Sequence, residues 1–223
     1  MTSNEVPIIY TSAICGWAIR NYAAFYEKGV AFTAVDVKHA PADQIQVFRE
    51  MFPYAKTPSL LHGNTRVWES LVINEYINEA FAGPSLLPRD AAGKASARLW
   101  MYHCDSMLFP ELSRALRASS EDERIKSTEI LKLRIDDMDR MAQSTAKFAP
   151  YWSGREIGLV DFCYHIFLDA LSMSRETLGN DMPALPQWLR EWEAAIASAS
   201  SIQRAKAFAA TLPMPKDAYP AKS

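Results

Sequence analysis

The sequence predicts an α/β domain followed by an all-helical domain, and three observations carry that prediction. Up to about residue 82, short apolar runs rich in β-branched residues alternate with stretches of helical period. From about residue 95 onward only helical periods remain. Between them lies Gly83-Pro84-Ser85-Leu86-Leu87-Pro88-Arg89-Asp90, which has the breakers expected of an interdomain linker. The boundaries are therefore drawn at 1–82, 83–94 and 95–223.

Each element follows from local chemistry. Val6 to Tyr10 is a short apolar run and reads as a strand. Trp17 to Lys28 has no proline, clusters Trp17, Tyr22, Phe25 and Tyr26, and places Lys28 just before Gly29; it reads as a helix with a glycine stop. Val30 to Val37 is rich in β-branched and aromatic residues, a second strand. Pro41 to Met51 spaces Ile45, Phe48 and Met51 along one face of a second helix. Thr57 to His62 and Thr65 to Trp68 flank Gly63-Asn64 as a hairpin, and a helix then opens at Glu69-Ser70 and runs to about Phe81. The order β-α-β-α-β-β-α is that of a thioredoxin-like domain. After the linker, helices are expected over Ala95 to Arg117, Glu121 to Gln143, Leu159 to Glu176 and Pro186 to Ser198, with a short one near Ile202 to Ala209. Leu212 to Ser223 reads as an irregular tail.

Composition excludes several classes of function. With 223 residues, 24 Lys and Arg against 26 Asp and Glu, and a net charge of −2, no clustered basic face is expected, hence no nucleic-acid partner. The longest apolar run, Tyr22 to Tyr26, is far short of the ~20 residues that span a bilayer. The opening residues lack the basic and apolar regions of a signal peptide, so a cytoplasmic protein with no membrane partner is expected. Cys15, Cys104 and Cys163 are odd in number, widely spaced, and without histidine at metal-ligand spacing, so neither a disulfide framework nor a metal is expected.

Three segments carry a family resemblance: Cys15-Gly16-Trp17-Ala18-Ile19-Arg20, Lys56-Thr57-Pro58-Ser59-Leu60, and Trp68-Glu69-Ser70-Leu71-Val72-Ile73-Asn74-Glu75-Tyr76-Ile77. Together with the domain order they resemble the cytosolic glutathione transferase family, in a zeta-like or omega-like bacterial branch with cysteine at the catalytic position. The resemblance implies a glutathione transferase architecture with glutathione as co-substrate. It makes Cys15 the catalytic residue and Pro58 a cis proline, and it pairs the Thr57 backbone with the cysteinyl part of glutathione. Glu69 and Ser70 would then hold the γ-glutamyl end, and a homodimer is implied. Lys56, Arg20 and Arg49 are candidate partners for the glycyl carboxylate or for Glu69, of which Lys56 is retained. Trp17, Tyr102 and Ser106 are candidates for the second-substrate pocket.

The physics of these residues stands beside the resemblance. A helix N-terminus offers unpaired N–H groups and partial positive charge, which lower a thiol pKa. With no neighbouring resolving cysteine, Cys15 is limited to monothiol exchange. Ser70 at a helix start suits a bound carboxylate and is equally an ordinary N-cap. Gly158-Leu159-Val160-Asp161 stands where the family has a capping box with Ser or Thr first; Asp161 reads as a folding element. The expected activity is attack by Cys15 on glutathionyl mixed disulfides or S-glutathionylated small molecules. The alternatives are conjugation of a Ser-type kind with Tyr10 or Ser12 as hydroxyl donors, isomerase or lyase chemistry, and a non-catalytic binding module.

Overall fold

The computed structural model describes residues 5–145 and 150–214. The first elements are β1 (Ile8–Thr11), α1 (Gly16–Lys28), β2 (Thr33–Asp36), α2 (Ala42–Met51), β3 (Ser59–His62), β4 (Thr65–Trp68) and α3 (Ser70–Ala80). The sheet order is β2-β1-β3-β4, with β2 parallel to β1 and the other pairings antiparallel. Alternation along β1 sends Tyr10 to one face, where it packs on Phe48 and Phe52 of the α2 side with ring centroids 5.1 and 5.6 Å away. The opposite face receives α1: the Tyr22 hydroxyl donates to Thr11 Oγ1 at 2.6 Å. Gly29 ends α1 in the left-handed region at φ 68°, where a Cβ is disfavoured, as the sequence predicts.

The helical elements are α4 (Ala91–His103), α5 (Phe109–Arg117), α6 (Glu121–Thr145), α7 (Leu159–Met173), α8 (Arg175–Leu178), α9 (Gln187–Ser198) and α10 (Ser200–Ala209). A single helix was expected over Ala95 to Arg117; instead a π-helical turn, Cys104–Leu108, separates α4 from α5. Pro110 supplies the cause, since it has no N–H and its ring clashes with the carbonyl four residues back. Asp90 starts α4 earlier than expected by accepting from the Gly93 N–H at 2.8 Å.

The described residues form two compact units, one of residues 5–84 together with 200–214, the other within Ser85–Ala199. The sequence places the boundaries at 82 and 95 and assigns the whole C-terminal part to the helical domain. The structure differs because Leu86 and Leu87 are buried, and because Leu86 O sits against α7, accepting from Leu159 N at 2.9 Å. A Cβ on Gly158 would lie 2.7 Å from that carbonyl oxygen, which explains glycine at this cap. At the other end, Phe208 of α10 stacks edge-on against Tyr22 and Phe32, at 4.9 and 5.2 Å. The expected tail from Leu212 lies outside the described residues beyond Met214.

The core of the helical unit centres on α7, whose residues are buried on nearly every side. Trp100 and Trp192 pack with Tyr164 of α7, with ring centroids 5.0 to 6.1 Å apart. Asp161 is the buried anion among them, accepting from Gly158 N at 2.8 Å, Trp152 N at 2.9 Å and Trp192 Nε1 at 2.6 Å. It reaches back to its cap as the sequence reading expected. No described helix is long and apolar enough to cross a membrane.

Candidate functional site

Strand register gathers the three sequence segments at one end of the sheet. Tyr10 pairs with Ser59, and Ser59 pairs with Trp68. Because β3 runs against both neighbours, the chain after β1, the chain before β3 and the chain after β4 leave the same edge. Those stretches contain Cys15, Lys56-Thr57-Pro58 and Glu69-Ser70 respectively. The Thr57–Pro58 bond is cis, as expected. Two helix N-termini, those of α1 and α3, open at this end, so it carries unpaired N–H groups and partial positive charge.

Cys15 is the N-cap of α1 and is partly exposed. Its N–H donates to Ser12 O at 2.9 Å, and its carbonyl accepts from Ala18 N at 3.0 Å. Burial pushes the thiol above its ordinary pKa; a hydrogen bond with the Thr57 side chain, the Ala18 and Trp17 N–H groups and the Arg20 charge pull downward without cancelling it. The lowered thiol expected from a helix terminus is therefore not what the protein alone provides, because desolvation outweighs those contributions. Thr57 meets Cys15 through its side chain, a contact with no signal in the sequence.

Glu69, the N-cap of α3, is exposed and has φ 66°, a conformation that costs a residue with a Cβ roughly 1–3 kcal/mol. Its carbonyl nonetheless accepts from Ile73 N at 2.9 Å, opening the helix. Ser70 follows as the first helical residue and is nearly buried. Beneath it, Asn21 Nδ2 of α1 donates to Ser70 O at 2.8 Å and to Asn74 Oδ1 at 2.6 Å, with both asparagines fully buried. Sequence reasoning missed this pair; the only sign is an amide amid an apolar helical pattern. Asn21→Ala is expected to destabilise the protein by about 2–3 kcal/mol, since both acceptors lose a buried donor. Urea unfolding midpoints of the variant and the parent check it, and equal midpoints would refute it.

The other candidates divide. Arg20 is not a solvated charge: it is fully buried, with its guanidinium 4.7 Å from the Trp17 ring centre. Trp17 is half-buried and engaged by that contact. Lys56 and Arg49 are exposed, and Lys56 O accepts from Ser59 Oγ at 2.7 Å. Tyr10 belongs to the core, packed with Phe48 and Phe52, and burial raises its hydroxyl pKa. On the helical unit, Tyr102 lies in the last turn of α4 and Ser106 in the π turn, both exposed.

Residues 8–79 match the family described as glutathione S-transferase, N-terminal domain. Glutathione S-transferase U16 of Arabidopsis thaliana is 31% identical over 154 residues, a match spanning 68% of this chain and 66% of that protein. The chain belongs to the glutathione S-transferase family. The transferase also shares its fold with the Tau class glutathione S-transferase MiGSTU from mango, Mangifera indica, at TM-score 0.78 and 21% identity over 93% of this chain and 99% of that one. Rice GST1 in complex with glutathione superposes at TM-score 0.72 and 22% identity, covering 96% and 93%. The fold is thus the thioredoxin-like sheet with a mostly helical C-terminal part that the sequence predicts. The curated relative U16 is a plant protein, so it does not show the zeta-like or omega-like bacterial branch that the resemblance implies.

Proposed function

We propose that the protein is a glutathione-dependent thiol transferase, with Cys15 as nucleophile. The observation that carries this reading is the gathering of Cys15, Thr57-Pro58 and Glu69-Ser70 at one end of the sheet by the pairing Tyr10–Ser59–Trp68. In the first step the Cys15 thiolate attacks the glutathione sulfur of a mixed disulfide; the S–S bond breaks, the small thiol leaves with the electron pair, and Cys15 carries glutathione. A second glutathione thiolate then attacks that sulfur, releasing glutathione disulfide and restoring Cys15. Ser70 and the α3 N-terminus hold the γ-glutamyl carboxylate, Glu69 accepts from the ammonium, and the Thr57 backbone pairs with the cysteinyl unit. Lys56 meets the glycyl carboxylate. Trp17, Tyr102 and Ser106 contribute to the second-substrate side. The protein works in the cytoplasm, without metal in this reaction, and as a homodimer.

One observation favours a second chemistry. Burial that keeps Cys15 protonated suits an S–H that donates to the thiolate of bound glutathione, which then attacks an electrophile in Ser-type fashion. Both chemistries need the glutathione site. Calorimetric titration with glutathione is expected to show binding that Ser70→Ala weakens about tenfold, the value of one charge-assisted hydrogen bond together with its positioning. No binding by the parent protein would remove both chemistries and leave a non-catalytic module of this fold.

A further inference from the structure

Cys104, Asp105 and Cys163 stand far from the glutathione site in sequence and take no part in the chemistry above, yet the fold brings them together. The π turn is what does it. It begins at Cys104, directly followed by Asp105, and sets both against α7, where Cys163 lies. The three donor atoms, two Sγ and a carboxylate oxygen, lie within 4.8 Å of one another. Cys163 Sγ is 3.4 Å from Asp105 Oδ1, and each thiol also faces a backbone carbonyl: Cys104 that of Cys163 at 3.7 Å, Cys163 that of Met101 at 3.8 Å. Both cysteines are fully buried, neither is in a disulfide, and Asp105 reaches partial exposure, giving the cluster an edge toward solvent.

We propose that this cluster is a binding site for a thiophilic divalent cation of the zinc and cadmium kind. Two thiolates and a carboxylate are ligands such ions take, and tetrahedral coordination at the usual bond lengths sets ligand atoms about 3.5–3.8 Å apart. The Asp105–Cys163 pair already has that spacing, and the longest separation in the cluster closes by about an ångström. Binding replaces two S–H protons, which leave to solvent as the ion enters along the Asp105 edge; the fourth position is open to water from that edge. A π-helical turn is a recurrent device for aiming side chains at functional sites, and here it sets consecutive residues to one target. The expectation of no metal rested on linear spacing, which is blind to a pair of cysteines joined only through tertiary packing.

The test uses Cys15→Ser protein, so that the partly exposed thiol is silent, titrated with cadmium chloride. One equivalent is expected to produce a thiolate-to-cadmium charge-transfer absorption in the near ultraviolet and to raise the melting temperature. Adding Cys104→Ser or Cys163→Ser should remove the band, and Asp105→Asn should weaken binding about tenfold or more. Should either serine variant fail to fold, the Asp105→Asn affinity and the stoichiometry of the parent decide. No charge-transfer band, a band that survives Cys104→Ser, affinity unchanged in Asp105→Asn, or a two-hydrogen mass loss to a Cys104–Cys163 disulfide in place of metal uptake would overturn the proposal.

Discussion

Cys15→Ser is expected to lower glutathione-dependent reduction of a small mixed disulfide by about 10³-fold or more, because a hydroxyl at this position cannot form the covalent intermediate. The control lies within the protein, since Cys104 and Cys163 are fully buried and Cys15 is the partly exposed thiol. Iodoacetamide should therefore label the parent at Cys15 and leave the variant unlabelled. The pH dependence has a definite sign. Burial raises the Cys15 thiol, so its thiolate fraction at neutral pH is lower than that of a free cysteine and grows as pH rises through and beyond the ordinary thiol range. Labelling rates without glutathione should keep rising from pH 7 to pH 9. A plateau already reached by pH 7 would show a lowered pKa instead. If disulfide reduction persists in the variant, Cys15 is not the nucleophile and the Ser-type reading takes its place.

Asp161→Ala is expected to destabilise the helical unit by roughly 3–5 kcal/mol, enough to leave it marginal or unfolded. Three buried N–H donors, those of Gly158, Trp152 and the Trp192 indole, would lose their acceptor together. Burial pushes the Asp161 carboxyl up to about 6, against those same three hydrogen bonds, which pull it down. With the folded pKa above the unfolded one, the native protein binds more protons between about pH 4 and 6. Asp161 thus makes stability fall as pH rises through that window, by up to roughly 3 kcal/mol. Urea midpoints measured from pH 4 to 7 for the parent and for Asp161→Asn should converge or diverge by that dependence. Identical pH profiles would show that Asp161 does not titrate there, and an Ala variant as stable as the parent would remove its structural role.

Much of the first unit is legible in its sequence because its signals are local. Gly29 stops a helix whatever surrounds it, Gly63 turns a hairpin, and Pro58 precedes a strand in a loop that matches a known pattern. The candidate site is legible for the same reason, since each segment borders its own element. What stays hidden depends on residues far apart meeting. Asn21 and Asn74 pair across two helices, Thr57 reaches Cys15 across the sheet edge, and Asp161 gathers partners from Trp152 and Trp192. Pro110 is a different case: the breaker is visible in the expected helix Ala95 to Arg117, but its effect, a wider turn in place of a stop, depends on α4 and α5 both having cores to join.

The return of α10 to the first unit bears on the order in which the chain can be finished. Synthesis delivers α1 and β2 early, with Tyr22, Tyr26 and Phe32 packed on one another but awaiting the further aromatic and cationic cover of Phe208 and Arg204. Ser85–Ala199, by contrast, is contiguous and complete once Ala199 has emerged. The nascent sheet domain therefore stays open on that flank while more than a hundred later residues are made, and closing it is a long-range step with the loop entropy such steps carry. The part translated first is the part sealed last, and the interval is when its apolar flank is exposed to aggregation or to a chaperone.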